Sequence, residues 1–208
     1  MSILQDIFKD KKTIYTACFG NYDSERLSAD KIFNESNSPF DGSSEHLSPR
    51  LMAKLYKVVN PFNYDIWIDS SVDILDRKGF EKLFHGDLCV FKHPFNKTVR
   101  DEIKSCYDAG YINDKQIKNI ENLYKSANMT VDDTSVYACT MIYRTKKTQE
   151  FNRLWWQLIC LYSYRDQLTF PFVVSQFPDL DFRVIDINIY NMDGIINPYF
   201  VVNRHLNK

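Results

Sequence analysis

Asp69 closes the apolar run Ile66-Trp67-Ile68. A carboxylate at the carboxyl end of a strand in an open α/β sheet faces the crevice where such sheets bind ligands. A hard cation bound to diphosphate takes oxygen ligands of this kind. Ser71 would add a weaker oxygen, whereas Asp73 lies further along the chain. A strand-end aspartate also caps turns, and spacing alone does not choose between the two roles. Upstream, Arg50, Lys54 and Lys57 recur at one-turn intervals and share one side of a helix. Such a face can receive a phosphate, although it is more often simply solvated. Arg165, Asp166 and Gln167 combine a cation, an acid and an amide. Together they could grip sugar hydroxyls, each of which both donates and accepts. The competing role is a polar helix start with Asp166 as its cap. His93, in Lys92-His93-Pro94, and the late His205 stand near strand or tail ends. A lone histidine is more often structural than a ligand, and His46 and His85 have no supporting context.

These residues need a frame. Residues 13–19 form an apolar, β-rich run that ends in Gly20-Asn21-Tyr22-Asp23, a strand followed by a turn. Residues 24–47 are polar and read as a long loop. Ser48-Pro49 opens a helix, with serine as N-cap and proline in the first turn, and Pro61 stops it. Strands follow at 64–68, 86–93, 135–144 and 181–191, with helices at 76–84, 98–108, 113–127, after Thr148, and at 166–177. The tail reads as irregular. Strands alternating with helices indicate an α/β domain with a largely parallel sheet.

The net charge of -1 supplies no global basic field, which argues against nucleic acid as the main partner. The 13 Tyr, 15 Phe and 3 Trp suit both a packed core and a site that stacks rings or sugars. Five cysteines, none in a Cys-x-x-Cys pair, read as reduced, buried thiols rather than a zinc site. The polar first residues do not form a signal peptide, and no apolar run is long enough for a transmembrane segment, so the expected location is cytoplasmic.

Taken in order, the segments IYTACFGNYD (14–23), SPRLMAKLYKVVNPFNYDIWIDSSVDI (48–74), FKHPF (91–95) and LWWQLICLYSYRDQLTF (154–170) resemble the GT-A-type glycosyltransferase domains of bacteria, viruses and plant Golgi proteins. Those domains carry a T-A-x-F-G-x-Y-D start, a basic helix before Y-D-x-x-I-W-I-D, a K-H-P and a late R-D-Q block. The resemblance implies one Rossmann-like α/β domain with a mostly parallel central sheet flanked by helices. Residues 13–95 would form the nucleotide-sugar half and 96–208 the sugar and acceptor half. It implies that Phe19, Gly20, Asn21 and Tyr22 lie near the donor base and that Arg50 and Lys54 face the donor phosphates. Asp69 becomes the counterpart of the acidic metal- and nucleotide-binding motif, with Ser71 and His205 beside a divalent metal, Mn2+ or Mg2+. Asp166-Gln167 is similar to the pair that borders the transferred sugar in glycogenin-like enzymes, with Arg165 as its brace and His93 on the sugar or acceptor side. The family's acidic motif reads Asp-x-Asp, where this chain has Asp69-Ser70-Ser71.

The implied partners are a nucleotide-sugar donor and an acceptor that stays open among a glycan, a protein and a modified DNA base. Two other readings compete. Asp69-Ser-Ser-Val resembles the nucleophilic aspartate of haloacid-dehalogenase-like phosphoryl-transfer hydrolases, without their second aspartate and on a later strand. The chain could also be a catalytically inactive nucleotide- or sugar-binding module.

Overall fold

The computed structural model describes residues 11–20, 28–38, 48–190 and 197–203. Its centre is a six-stranded sheet in the order β2-β1-β3-β6-β5-β7. The strands are β1 (Ile14–Ala17), β2 (Lys31–Phe33), β3 (Ile66–Ile68), β5 (Leu88–Lys92), β6 (Tyr137–Arg144) and β7 (Phe182–Ile185). β6 runs antiparallel to both its neighbours, and every other pairing is parallel. The α/β class and the mostly parallel sheet are therefore as the alternating pattern predicts. A second, two-stranded sheet pairs β4 (Val72–Ile74) with β8 (Phe200–Val202).

Both faces of the large sheet are buried, and the strand period of two divides them. Tyr15, Trp67, Leu88 and Val90 face one apolar cluster, packed with α1 (Pro49–Val59), α3 (Val99–Asp108), α4 (Asp114–Ser126), α5 (Gln149–Leu161) and α6 (Phe170–Ser175). Ile14, Ile66, Ile68, Cys89 and Phe91 face the other, packed with α2 (Arg77–Lys82) and with Phe200 of the small sheet.

Three expectations need correction. The segment 24–47 is not loop throughout, because Lys31–Phe33 adds a parallel edge strand beside β1. The tail is not irregular throughout, because Phe200–Val202 returns to pair with β4, itself absent from the sequence reading. The late helix is broken: a 3-10 turn at Asp166–Leu168 precedes α6. Of the cysteines, Cys160 is exposed and the other four are buried, none of them in a disulfide.

Candidate functional site

The strand order reverses at β1, since β2 lies on one side of it and β3 on the other. Ligands of open α/β sheets bind outside the carboxyl ends of the strands at such a reversal. A cavity of about 160 Å³ lies there, lined by Ala17, Cys18 and Phe19 after β1 and by Trp67, Asp69 and Ser70 around the end of β3, with Pro49, Arg50 and Lys54 from α1. A larger cavity of about 490 Å³ adjoins it, reaching His93 after β5, Glu102 on α3 and Asp166-Gln167. Lys54, Asp69 and Arg165 line both, so the two form one crevice with these charges at its waist.

Helix α1 carries the cations. Ser48 caps it, its Oγ accepting from the Leu51 amide, and Pro49 occupies the first turn. At the other end the buried Arg144 guanidinium donates to the carbonyls of Lys57 and Val58 and to Asn152 Oδ1, satisfying carbonyls that a helix end leaves unpaired. The Arg144 guanidinium also donates to the Tyr15 hydroxyl on β1, which ties the helix to the sheet. Gly20, at φ +67°, turns the chain out of β1, and a Cβ there would lie 3.0 Å from Pro49 Cβ. The turn and the start of α1 are thus pressed together at the mouth of the smaller cavity.

The polar centre is a chain of alternating charges. Asp166 Oδ1 lies 2.7 Å from Lys54 Nζ, and its Oδ2 lies 2.8 Å from Lys57 Nζ. Lys57 Nζ also lies 3.3 Å from Asp69 Oδ1, which accepts a second bond from Trp67 Nε1 at 2.8 Å. The Asp166 and Lys57 side chains are 3% and 2% exposed. Burial opposes ionisation of Asp166, but the ammonium groups of Lys54 and Lys57 outweigh it and hold the carboxyl well below the usual carboxylate range. Lys57 is pushed up: burial works against its charge, and Asp166 and Asp69 outweigh it. A carboxylate so stabilised is a poor proton acceptor, so Asp166 is suited to fixing the lysines rather than to acting as a base.

A second cluster fills the far wall. Buried Glu102 accepts from Asn96 Nδ2 at 2.6 Å, and its carboxylate lies 3.4 Å from His93 Nε2 and 3.5 Å from an Arg165 amino group. His93 Nδ1 accepts from the amides of Phe95 and Asn96, which leaves Nε2 as the protonated nitrogen of the neutral ring, facing Glu102. Burial lowers the His93 pKa, Glu102 raises it, and Arg165 lowers it, with a net shift downward. The Arg165 guanidinium also lies over the Tyr111 ring, 4.9 Å from its centroid.

Several expected residues thus meet. Phe19, Arg50, Lys54 and Asp69 line the smaller cavity, and His93, Arg165, Asp166 and Gln167 the larger. Gly20 stands beside them, while Asn21, Tyr22 and His205 fall outside the described residues. Phe19 is buried and stacks on Tyr56, 5.6 Å between centroids. Two corrections concern side chains. Lys57 is not part of a solvated basic face but is buried under the crevice. Ser71 does not join Asp69: it is buried, lines neither cavity, and its carbonyl accepts from Asn203.

Among the described residues no three His, Cys, Asp or Glu side chains are grouped to hold a metal ion. Asp69 is left as the sole expected protein ligand among them, with one oxygen already shared by an ammonium and an indole N–H. His205, the other expected metal-binding side chain, lies outside the described residues. The waist also offers cations, from Lys54 and Arg165.

Sequence reasoning missed Glu102, Phe95, Tyr111 and Tyr190, which also line the larger cavity. Glu102 stands among the many charges of α3, and nothing in its spacing separates it from the solvated ones. Lys57 shares the helix side of Lys54, three residues before it, but that spacing carries no sign of its burial.

No model of a known protein family matches the chain, and no curated protein matches it. Among solved structures, it is similar to the crystal structure of a glycosyltransferase involved in the glycosylation of the major capsid of PBCV-1. The TM-score is 0.43 and the identity 10%, covering 91% of this chain and 94% of that chain.

Proposed function

We propose that the protein is a glycosyltransferase that moves a sugar from a nucleotide-sugar donor to an acceptor hydroxyl. The observation that supports this reading is the crevice itself: a groove at the strand reversal, joined through a cationic waist to a larger polar cavity. The smaller cavity is below the ~300–1,000 Å³ of a typical ligand pocket. A donor would therefore lie along the crevice, with its base by Phe19 and Trp67, its diphosphate at Arg50, Lys54 and Arg165, and its sugar toward Asp166 and Gln167.

In the transfer, the bond from the anomeric carbon to the diphosphate oxygen breaks, and its electron pair leaves on the diphosphate. A new bond forms from the acceptor oxygen, whose proton passes to a base or to the departing phosphate. Charge grows on the leaving group, and fixed cations placed there stabilise it without reorganising. The ion pairs of Asp166 hold Lys54 at the waist while the reaction proceeds.

The test is a thermal-shift screen of nucleoside diphosphates and nucleotide sugars, with and without manganese, followed by turnover assays on any ligand found. A ligand at 100 times its Kd adds about 2.7 kcal/mol to stability. Arg50→Ala should weaken nucleoside-diphosphate binding by about tenfold or more, since a charge-assisted contact contributes ~1.5–3 kcal/mol. Unchanged affinity in that variant removes the diphosphate from this end of α1. Binding without turnover would mark an inactive module, and hydrolysis of simple phosphate esters would mark a phosphatase.

A further inference from the structure

The mouth of the larger cavity carries an aromatic pair, Phe95 and Tyr190, of which Tyr190 packs against the core and Phe95 does not. Phe95 is 61% exposed and belongs to neither apolar cluster. It stacks on Tyr190 with ring centroids 5.6 Å apart and planes 21° from parallel, and both rings line the cavity. The position of Phe95 is built rather than incidental: its amide donates to His93 Nδ1 at 3.3 Å, which fixes the backbone directly after β5. The same cavity holds Asn96, Glu102 and Gln167, which between them donate and accept hydrogen bonds.

We propose that this cavity is the acceptor site and that the acceptor is a saccharide. A sugar ring has an apolar C–H face that packs flat on aromatic rings and a rim of hydroxyls that both donate and accept. Phe95 and Tyr190 supply the platform, and the buried Glu102 carboxylate with the Asn96 and Gln167 amides supplies the rim. The volume of about 490 Å³ lies within the range of small-ligand pockets. A nucleic acid fits less well, because the acids Asp69, Glu102 and Asp166 offset Lys54, Lys57 and Arg165 and leave the cavity without the net positive field that holds a phosphate backbone. A protein presenting a single hydroxyl would leave the aromatic pair unused. The word acceptor rests on the transferase reading; the saccharide site does not.

Saturation-transfer NMR on the full chain tests this, with a panel of free mono- and disaccharides as probes, in the absence and presence of nucleoside diphosphates. At least one saccharide should receive saturation. Phe95→Ala should lower its affinity tenfold or more, Phe95→Tyr should retain it, and nucleoside-diphosphate affinity should be unchanged in both. The proposal is overturned if no saccharide binds, if Phe95→Ala binds as the wild type does, or if an oligodeoxynucleotide or a serine/threonine peptide is bound through Phe95 instead. Saccharide binding that depends on Phe95, in a protein that binds no nucleotide, would uphold the site and defeat the transferase reading. Nucleotide binding and turnover without any saccharide site would do the reverse.

Discussion

Asp166 sits between two ammonium groups and touches almost no solvent. Its removal would strand two lysines, one of them fully buried, and breaking a buried pair in this way costs about 3–5 kcal/mol. Asp166→Ala is therefore expected to lose that much stability in urea denaturation, and a loss below 1 kcal/mol would show that the pairs are not formed. The pH dependence has a defined sign. The folded-state pKa lies below the ordinary 3.8, so Asp166 contributes stability that is fully present above that value and is lost as pH falls from it through the lower folded-state pKa. Acid unfolding of the variant should lack this component. Asp69 is legible as a candidate because it closes the apolar run Ile66-Trp67-Ile68, whereas His93 and Asp166 stand out chiefly through the resemblance. The burial of Lys57 was not legible, since a lysine at helical spacing reads as solvated until its counter-charge, more than 100 residues away, is in place.

At the scale of elements, the local signals were the reliable ones. Helix α1 was readable from Ser48, Pro49 and Pro61, and α3 and α4 from their periodicity, both confirmed by capping boxes at Thr98 and Asn113. What stayed hidden were β2, β4 and β8, each three residues long. Strands so short have no period to detect, although β3, equally short, is legible as an apolar run, and these three pair with segments distant in the chain. The join between β1 and α1 gives a test at this scale. Gly20→Ala puts a side chain at φ +67° with its Cβ 3.0 Å from Pro49 Cβ. A non-glycine residue in that region costs about 1–3 kcal/mol. The variant should be destabilised by that amount in thermal denaturation and should bind nucleoside diphosphates more weakly, because α1 must shift to relieve the contact. Wild-type stability would mean that the turn is free to relax.

For the molecule as a whole, the alternation of strands and helices made the α/β class legible, but the place of β6 was not. An antiparallel strand in the middle of the sheet depends on which edges are open, and no residue of Tyr137–Arg144 encodes that by itself. The position has a consequence for how the chain comes into being. β5 is flanked by β6 and β7, both of which follow it in sequence, and β3 lacks its second neighbour until β6 exists. During synthesis the apolar segment Leu88–Phe91 therefore leaves the ribosome with no strand to join while more than 40 further residues are made. Non-local pairing of this sort is slow and leaves strand edges open to aggregation. A fragment ending at Asp133 should show no cooperative thermal transition by circular dichroism, whereas the whole chain should unfold in one. The nascent protein is thus at its most vulnerable between its fifth and sixth strands, and that interval is where a holding chaperone would have most effect on yield.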